Sequence, residues 1–131
     1  MTPERLELNE FGPYTDSQTV DFSALQSQQL FLIHGDTGSG KSTLLDAICV
    51  ARYGETSGAE RDGDDLRSDF ATPEDPTEVA LDFRLGEERY RVRRRPQQEL
   101  AKKRGEGTTQ KSEEADLFDR SKAEKLGEGG Q

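Results

Sequence analysis

The chain has 131 residues, enough for one domain, but only 30% are hydrophobic and 34% are charged, so a packed core is possible over part of its length only. A formal net charge of −9 excludes binding to nucleic acid through overall charge and leaves room for a local basic patch. The single cysteine, Cys49, excludes an internal disulfide; with no apolar run near ~18 residues and no signal-peptide pattern, a cytoplasmic protein without a membrane partner is expected.

Leu6 and Leu8 alternate with charged residues, and Thr19-Val20-Asp21-Phe22 alternates again after the turn signal Phe11-Gly12-Pro13-Tyr14. This predicts two strands in a hairpin. Leu30-Phe31-Leu32-Ile33 is an apolar run with the length of a buried strand. Lys41 to Tyr53 predicts a helix with Leu44, Ile48 and Ala51 on one face and Leu45 beside them. Cys49 reads as a small hydrophobe of that helix rather than a reactive thiol. Residues 54–76 read as a polar loop. Val79, Leu81, Phe83 and Leu85 then alternate strictly with polar residues, with Asp82 outward. Gly86-Glu87-Glu88 turns the chain, and Tyr90 and Val92 alternate with Arg89, Arg91 and Arg93, which predicts a second hairpin with one buried face. The expected division is an N-terminal lobe over 1–96 and a polar, largely irregular, truncated tail over 97–131. In that tail only Ala115 to Phe118 reads as a short strand.

Between the apolar run and the helix stands Gly35-Asp36-Thr37-Gly38-Ser39-Gly40-Lys41-Ser42, which fits G-x-x-x-x-G-K-[ST] in the order strand, glycine loop, helix. The glycines let successive backbone N–H groups point into one concavity, and that nest, with the positive end of the helix, suits the β-phosphate of a nucleotide. Lys41 is the candidate catalytic residue, a point charge reaching the β- and γ-phosphates, and the Ser42 hydroxyl is the candidate Mg²⁺ ligand. Thr43 follows as the next residue of the helix N-terminus. His34, at the end of the buried run, reads as structural, since no metal-ligand cluster accompanies it.

Several further segments carry a family resemblance. Asn9-Glu10-Phe11-Gly12-Pro13-Tyr14, Asp21-Phe22-Ser23, Leu30 to Gly35, Leu45-Asp46-Ala47-Ile48, Tyr53-Gly54-Glu55-Thr56, Leu66 to Ala71, Arg89 to Pro96 and Lys103 to Gly107 together resemble the start of the SbcC family, the ATPase subunits of the bacterial SbcCD nuclease. The resemblance covers most of residues 1–112. It implies an α/β fold, the N-terminal half-lobe of a P-loop NTPase head of ABC/SMC type: a β-rich meander with one main helix after the phosphate loop. It further implies ATP and Mg²⁺ as cofactors and a C-terminal half of the head beyond a coiled coil. The partners implied are a second head in an ATP-dependent dimer, a nuclease subunit and double-stranded DNA, whose ends and hairpins the family processes in double-strand break repair.

The family pattern is incomplete over this length. Hydrolysis needs four apolar residues followed by Asp-Glu to hold Mg²⁺ and orient water. Val79-Ala80-Leu81-Asp82 is the nearest run, but Phe83 follows the aspartate. None of Gln97, Gln98 and Gln110 follows an apolar run, as a water-positioning glutamine would. Leu126 to Gln131 is similar to the ABC signature Leu-Ser-Gly-Gly-Gln only with an inserted residue and no serine. This length alone is therefore expected to be inactive as an ATPase. A small stand-alone nucleotide kinase would need a lid and acceptor site that the polar stretch after Pro96 cannot core. A non-catalytic interaction remnant is opposed by the intact Lys41 and Ser42.

Arg89, Arg91, Arg93, Arg94, Arg95, Lys102, Lys103 and Arg104 place eight cations within sixteen positions. Arg91, Arg93, Arg94, Lys102, Lys103 and Arg104 are candidate contacts to DNA phosphates, which give affinity without sequence readout. The competing reading makes Arg89, Arg91 and Arg93 the solvent face of a strand, paired with acids such as Asp82.

Overall fold

The computed structural model describes residues 2–14, 16–22, 41–54, 66–69, 71–120 and 124–129. Among the described residues, eight strands and one helix follow in the order β1 (Thr2–Asn9), β2 (Ser17–Asp21), α1 (Lys41–Tyr53), β3 (Glu78–Leu85), β4 (Glu88–Arg95), β5 (Gln98–Ala101), β6 (Thr108–Lys111), β7 (Glu114–Asp119) and β8 (Glu124–Gly129). Six strands form one antiparallel sheet in the order β2-β1-β3-β4-β7-β8, and β5 and β6 form a separate hairpin. Both predicted hairpins are present, and the predicted helix has the expected limits. The apolar run Leu30 to Ile33 and His34 lie outside the described residues.

The two faces of the sheet differ in chemistry because cross-strand partners share a face and successive residues alternate. Leu6 pairs with Leu81, Leu8 with Val79, and Leu81 in turn with Val92. These side chains make one apolar face, which packs against α1 together with Phe11, Phe22 and Leu66. Full burial of each such Leu or Val stabilises by roughly 1.5–3 kcal/mol. On the other face Asp82 pairs with Arg91, Ala80 with Arg93, and Arg93 with Asp116, so charges of opposite sign meet across strands.

The buried face of α1 differs from the expected one. Thr43, Ala47, Val50 and Ala51 are buried, Leu44 and Ile48 are half-buried, and Leu45 is 54% exposed. The small side chains Ala47 and Ala51 let the helix approach the sheet closely, which moves the larger Leu44 and Ile48 to the margin of the contact.

The stretch after Pro96 carries the expected short strand, Ala115 to Phe118 lying within β7, but differs from the expected irregular tail in also carrying β5, β6 and β8. β5 to β7 are held by backbone pairing and by side-chain hydrogen bonds more than by a core, and β8 pairs with β7. Gln98 is the anchor. It is 1% exposed, its Oε1 accepts the Thr77 N–H at 2.7 Å, and its Nε2 donates to the Thr77 and Pro96 carbonyls at 3.0 Å. Arg67 donates into the same cluster, to the carbonyls of Thr72 and Asp75 and to Gln98 Oε1. The described part of the expected polar loop is ordered by this cluster. Residues 126–129 belong to β8, paired with β7, so they are a strand rather than part of an irregular tail.

Candidate nucleotide site

Gly35, Asp36, Thr37, Gly38, Ser39 and Gly40 lie outside the described residues, as do the side chains of Lys41 and Ser42. The platform behind them is described. The helix α1 begins at Lys41, so Lys41 and Ser42 occupy its first two positions, where backbone N–H groups have no intrahelical acceptor. No acidic residue stands in that first turn, so the positive end of the helix is left for an anion from elsewhere. A phosphate group fits that end.

The same end is braced from behind. Thr43 is 7% exposed and is covered by Gly12 in the connection between β1 and β2. Gly12 has φ +59°, a conformation that glycine adopts freely, and its N–H donates to the Leu66 carbonyl at 2.8 Å. Phe11, fully buried, forms a β-bridge with Arg67. The Phe-Gly-Pro-Tyr turn is therefore an inner support of the helix N-terminus rather than an exposed hairpin tip.

The opposite end of α1 is held by β4. Arg94 Nε donates to the Ala51 carbonyl at 3.0 Å, where a cation complements the helix dipole. Gly54, at φ +84°, closes the helix with an N–H bond to the Val50 carbonyl at 2.8 Å. Arg94 also lies 3.7 Å from Glu113. In the sequence Arg94 is one member of a basic run. The signal that separates it is its phase: it alternates in step with Tyr90 and Val92, on the helix side.

Asp82 is outward from the helix, as expected, yet its side chain is only 3% exposed. Oδ1 accepts from Arg91 Nη1 at 3.0 Å and Oδ2 from Arg120 Nη1 at 2.6 Å. Both oxygens are thus taken by guanidinium groups, as befits a structural ion pair rather than a magnesium ligand. Gln98 is likewise structural, through its bonds to the Thr77 and Pro96 backbone.

The six candidate DNA-contacting cations do not form one surface. Arg91 binds Glu7 and Asp82, and Arg93 binds Asp116, all on the charged face. Burial works against the Arg91 charge, but its hydrogen bond to Glu7 and the charge of Asp82 outweigh it and raise its pKa above the usual arginine value. Arg94 is on the other face. Lys102, Lys103 and Arg104 are exposed in the turn between β5 and β6 and form no ion pair with a described residue.

Residues 5–127 match the family described as AAA domain. The chain belongs to the AAA domain family. Among curated relatives it is 53% identical over 117 residues to the SbcC subunit of nuclease SbcCD from Vibrio cholerae serotype O1, 48% identical over 117 residues to that of Lactococcus lactis subsp. lactis, and 43% identical over 94 residues to that of Staphylococcus aureus. These alignments cover 89%, 89% and 72% of this chain but 12%, 11% and 9% of the relatives, so the chain spans about a tenth of their length. A structure solved in work on the ATP-driven dimerization and DNA-stimulated activation of SMC ATPases superimposes with a TM-score of 0.59 at 24% identity, over 97% of this chain and 73% of that one. This AAA domain therefore has the fold expected from the resemblance: the N-terminal lobe of a P-loop NTPase head, of mostly antiparallel sheet with one main helix. No described helix is long and apolar enough to cross a membrane.

Proposed function

We propose that this segment binds ATP with Mg²⁺ through Gly35 to Thr43. Lys41 would hold the β- and γ-phosphates, Ser42 the metal, and the backbone N–H groups of the loop and the first helical turn the phosphate oxygens. Mg²⁺ would supply charge neutralisation at the phosphates. The observation that carries the reading is the phosphate-loop sequence running directly into α1, whose N-terminus is braced by Gly12 and lacks any acidic residue of its own.

In the longer protein we infer the SbcC role: a cytoplasmic ATPase whose heads pair on ATP and which works with a nuclease subunit on DNA ends and hairpins in double-strand break repair. The acidic motif for hydrolysis is not supplied by Asp82, so turnover is assigned to groups contributed by the rest of the head. Exposure favours Lys102, Lys103 and Arg104 as this segment's DNA contacts, and Arg91, Arg93 and Arg94 as structural cations.

Calorimetric titration of the chain with ATP and Mg²⁺ tests the site. Lys41→Ala should weaken binding tenfold or more, since it removes a charge-assisted hydrogen bond of about 1.5–3 kcal/mol. Equal affinity in both proteins would refute the assignment.

A further inference from the structure

The connection between β1 and β2 carries a group that nucleotide binding does not use. Glu10 is 4% exposed and sits at φ +49°. Its N–H donates to the Asp16 carbonyl at 3.1 Å, and its carbonyl accepts from the Ser68 N–H at 2.9 Å and the Thr77 hydroxyl at 2.8 Å. Its Oε1 accepts the Asp16 N–H at 2.9 Å. Its Oε2 is enclosed by protein and has no hydrogen-bond partner among the described residues. A buried carboxylate oxygen left this way is costly unless a cation or a proton meets it.

Two more carboxylates converge on the same place. One oxygen each of Glu10, Asp16 and Asp75 lie within 4.8 Å of one another. Asn9 Nδ2 orients Asp75 by donating to its Oδ1 at 2.8 Å. Among the described residues none of the three carboxylates is in an ion pair. The guanidinium of Arg67 is turned instead to carbonyls, Thr77 Oγ1 and Gln98.

We propose that Glu10, Asp16 and Asp75 bind a divalent cation of the hard, oxygen-preferring class, with Ca²⁺ as the fitting ion, at a site separate from that of ATP and Mg²⁺. Oxygens at these separations can share one ion at the ~2.3–2.6 Å typical of Ca²⁺, whereas Mg²⁺ asks for ~2.0–2.1 Å and a stricter octahedron. An all-oxygen donor set speaks against zinc or copper. The ion clips the β1–β2 connection to the segment before β3. Since that connection carries Gly12, the clip stands behind the brace on Thr43.

The test is titration of the nucleotide-free chain with CaCl₂, followed by calorimetry and thermal denaturation, with MgCl₂ in parallel. One equivalent of Ca²⁺ should bind with a Kd on the order of 10⁻⁵ to 10⁻³ M and raise Tm. The near-isosteric Glu10→Gln and Asp75→Asn should each weaken it tenfold or more while keeping the circular dichroism of the fold. Lys41→Ala and Ser42→Ala should leave it unchanged. No heat and no Tm shift up to about 10 mM Ca²⁺ would overturn the proposal, because that exceeds the weakest ordinary protein sites. Affinity unaltered by Glu10→Gln or Asp75→Asn, or lost with Lys41→Ala, would overturn it equally.

Discussion

Gly12 and Thr43 meet where the β1–β2 connection crosses the first turn of α1: a Cβ on Gly12 would lie 2.7 Å from Thr43 Cγ2. The contact joins a residue of the sheet's first connection to the last residue of the proposed ATP loop. Two costs fall on Gly12→Ala, the clash and the positive φ, the latter about 1–2 kcal/mol. The variant should be less stable in urea and bind ATP more weakly. Thr43→Ser removes Cγ2, so the double variant should regain the part of the stability lost to the clash and keep the part lost to φ. Strictly additive effects in the double-variant cycle would mean that the two residues do not touch.

Asp82→Ala leaves Arg91 and Arg120 without their shared carboxylate in the middle of the charged face. Because Arg91 keeps Glu7 and Arg120 is half exposed, the loss of these charge-assisted bonds is expected to cost about 1.5–3 kcal/mol. At temperatures where the variant remains folded, its affinity for ATP and Mg²⁺ should equal that of the unaltered chain. A selective loss of Mg²⁺-dependent binding would instead make Asp82 part of the nucleotide site. The sign of the Arg91 shift matters for pH. Its pKa is raised in the folded state, so its contribution is complete below the usual arginine value and is lost only as pH rises through the raised one. The Arg91 share of stability is therefore constant across the neutral range.

Arg94→Gln removes the cation at the C-terminal end of α1. The loss of a charge-assisted bond to the Ala51 carbonyl and of the dipole interaction predicts a destabilisation of about 1.5–3 kcal/mol. Hydrogen exchange should locate the loosening in the last turn of α1. An effect spread evenly over the sheet would assign Arg94 to general packing.

For DNA, two triple variants separate the cations. Replacing Lys102, Lys103 and Arg104 with Gln should flatten the salt dependence of binding to duplex DNA, by a log–log slope of roughly 0.9 for each phosphate no longer neutralised. Replacing Arg91, Arg93 and Arg94 should lower Tm and leave that slope in place. The reverse pattern would return the DNA contacts to β4.

Much of this architecture was legible in the residues. Strict alternation from Val79 to Leu85, the alternation of Tyr90 and Val92 with arginines, and the spacing of Leu44, Ile48 and Ala51 place β3, β4 and α1, because period-two and period-3.6 patterns mark strands and helices. Of the strands beyond Pro96 only β7 was legible, at Ala115 to Phe118; β5, β6 and β8 were hidden for a physical reason, since they lack an apolar alternation and a residue such as Gln98, buried and held by hydrogen bonds, looks in its letter like part of a solvated loop. The phosphate loop was legible as chemistry from its spacing. Its brace was not, because contact between Gly12 and Thr43 spans thirty-one positions and leaves no local pattern. Asp82 shows the limit of alternation, which gives the side of a sheet but not whether arginines on the neighbouring strand will cover it.

The division of β4 into an arginine side and an apolar side fixes how the strand can be paired. A slip of one residue against β3 would turn Arg91, Arg93 and Arg95 under α1 and bring Tyr90 or Val92, depending on the direction of the slip, opposite Asp82. Every one of those exchanges desolvates a charge with no partner or strands a carboxylate against a ring or methyl group. Mispairing is thus penalised on both faces at once, and by forces of different range. Charge attraction acts before the strands touch and apolar contact only after, so β4 can find its alignment on β3 while the helix is still undocked.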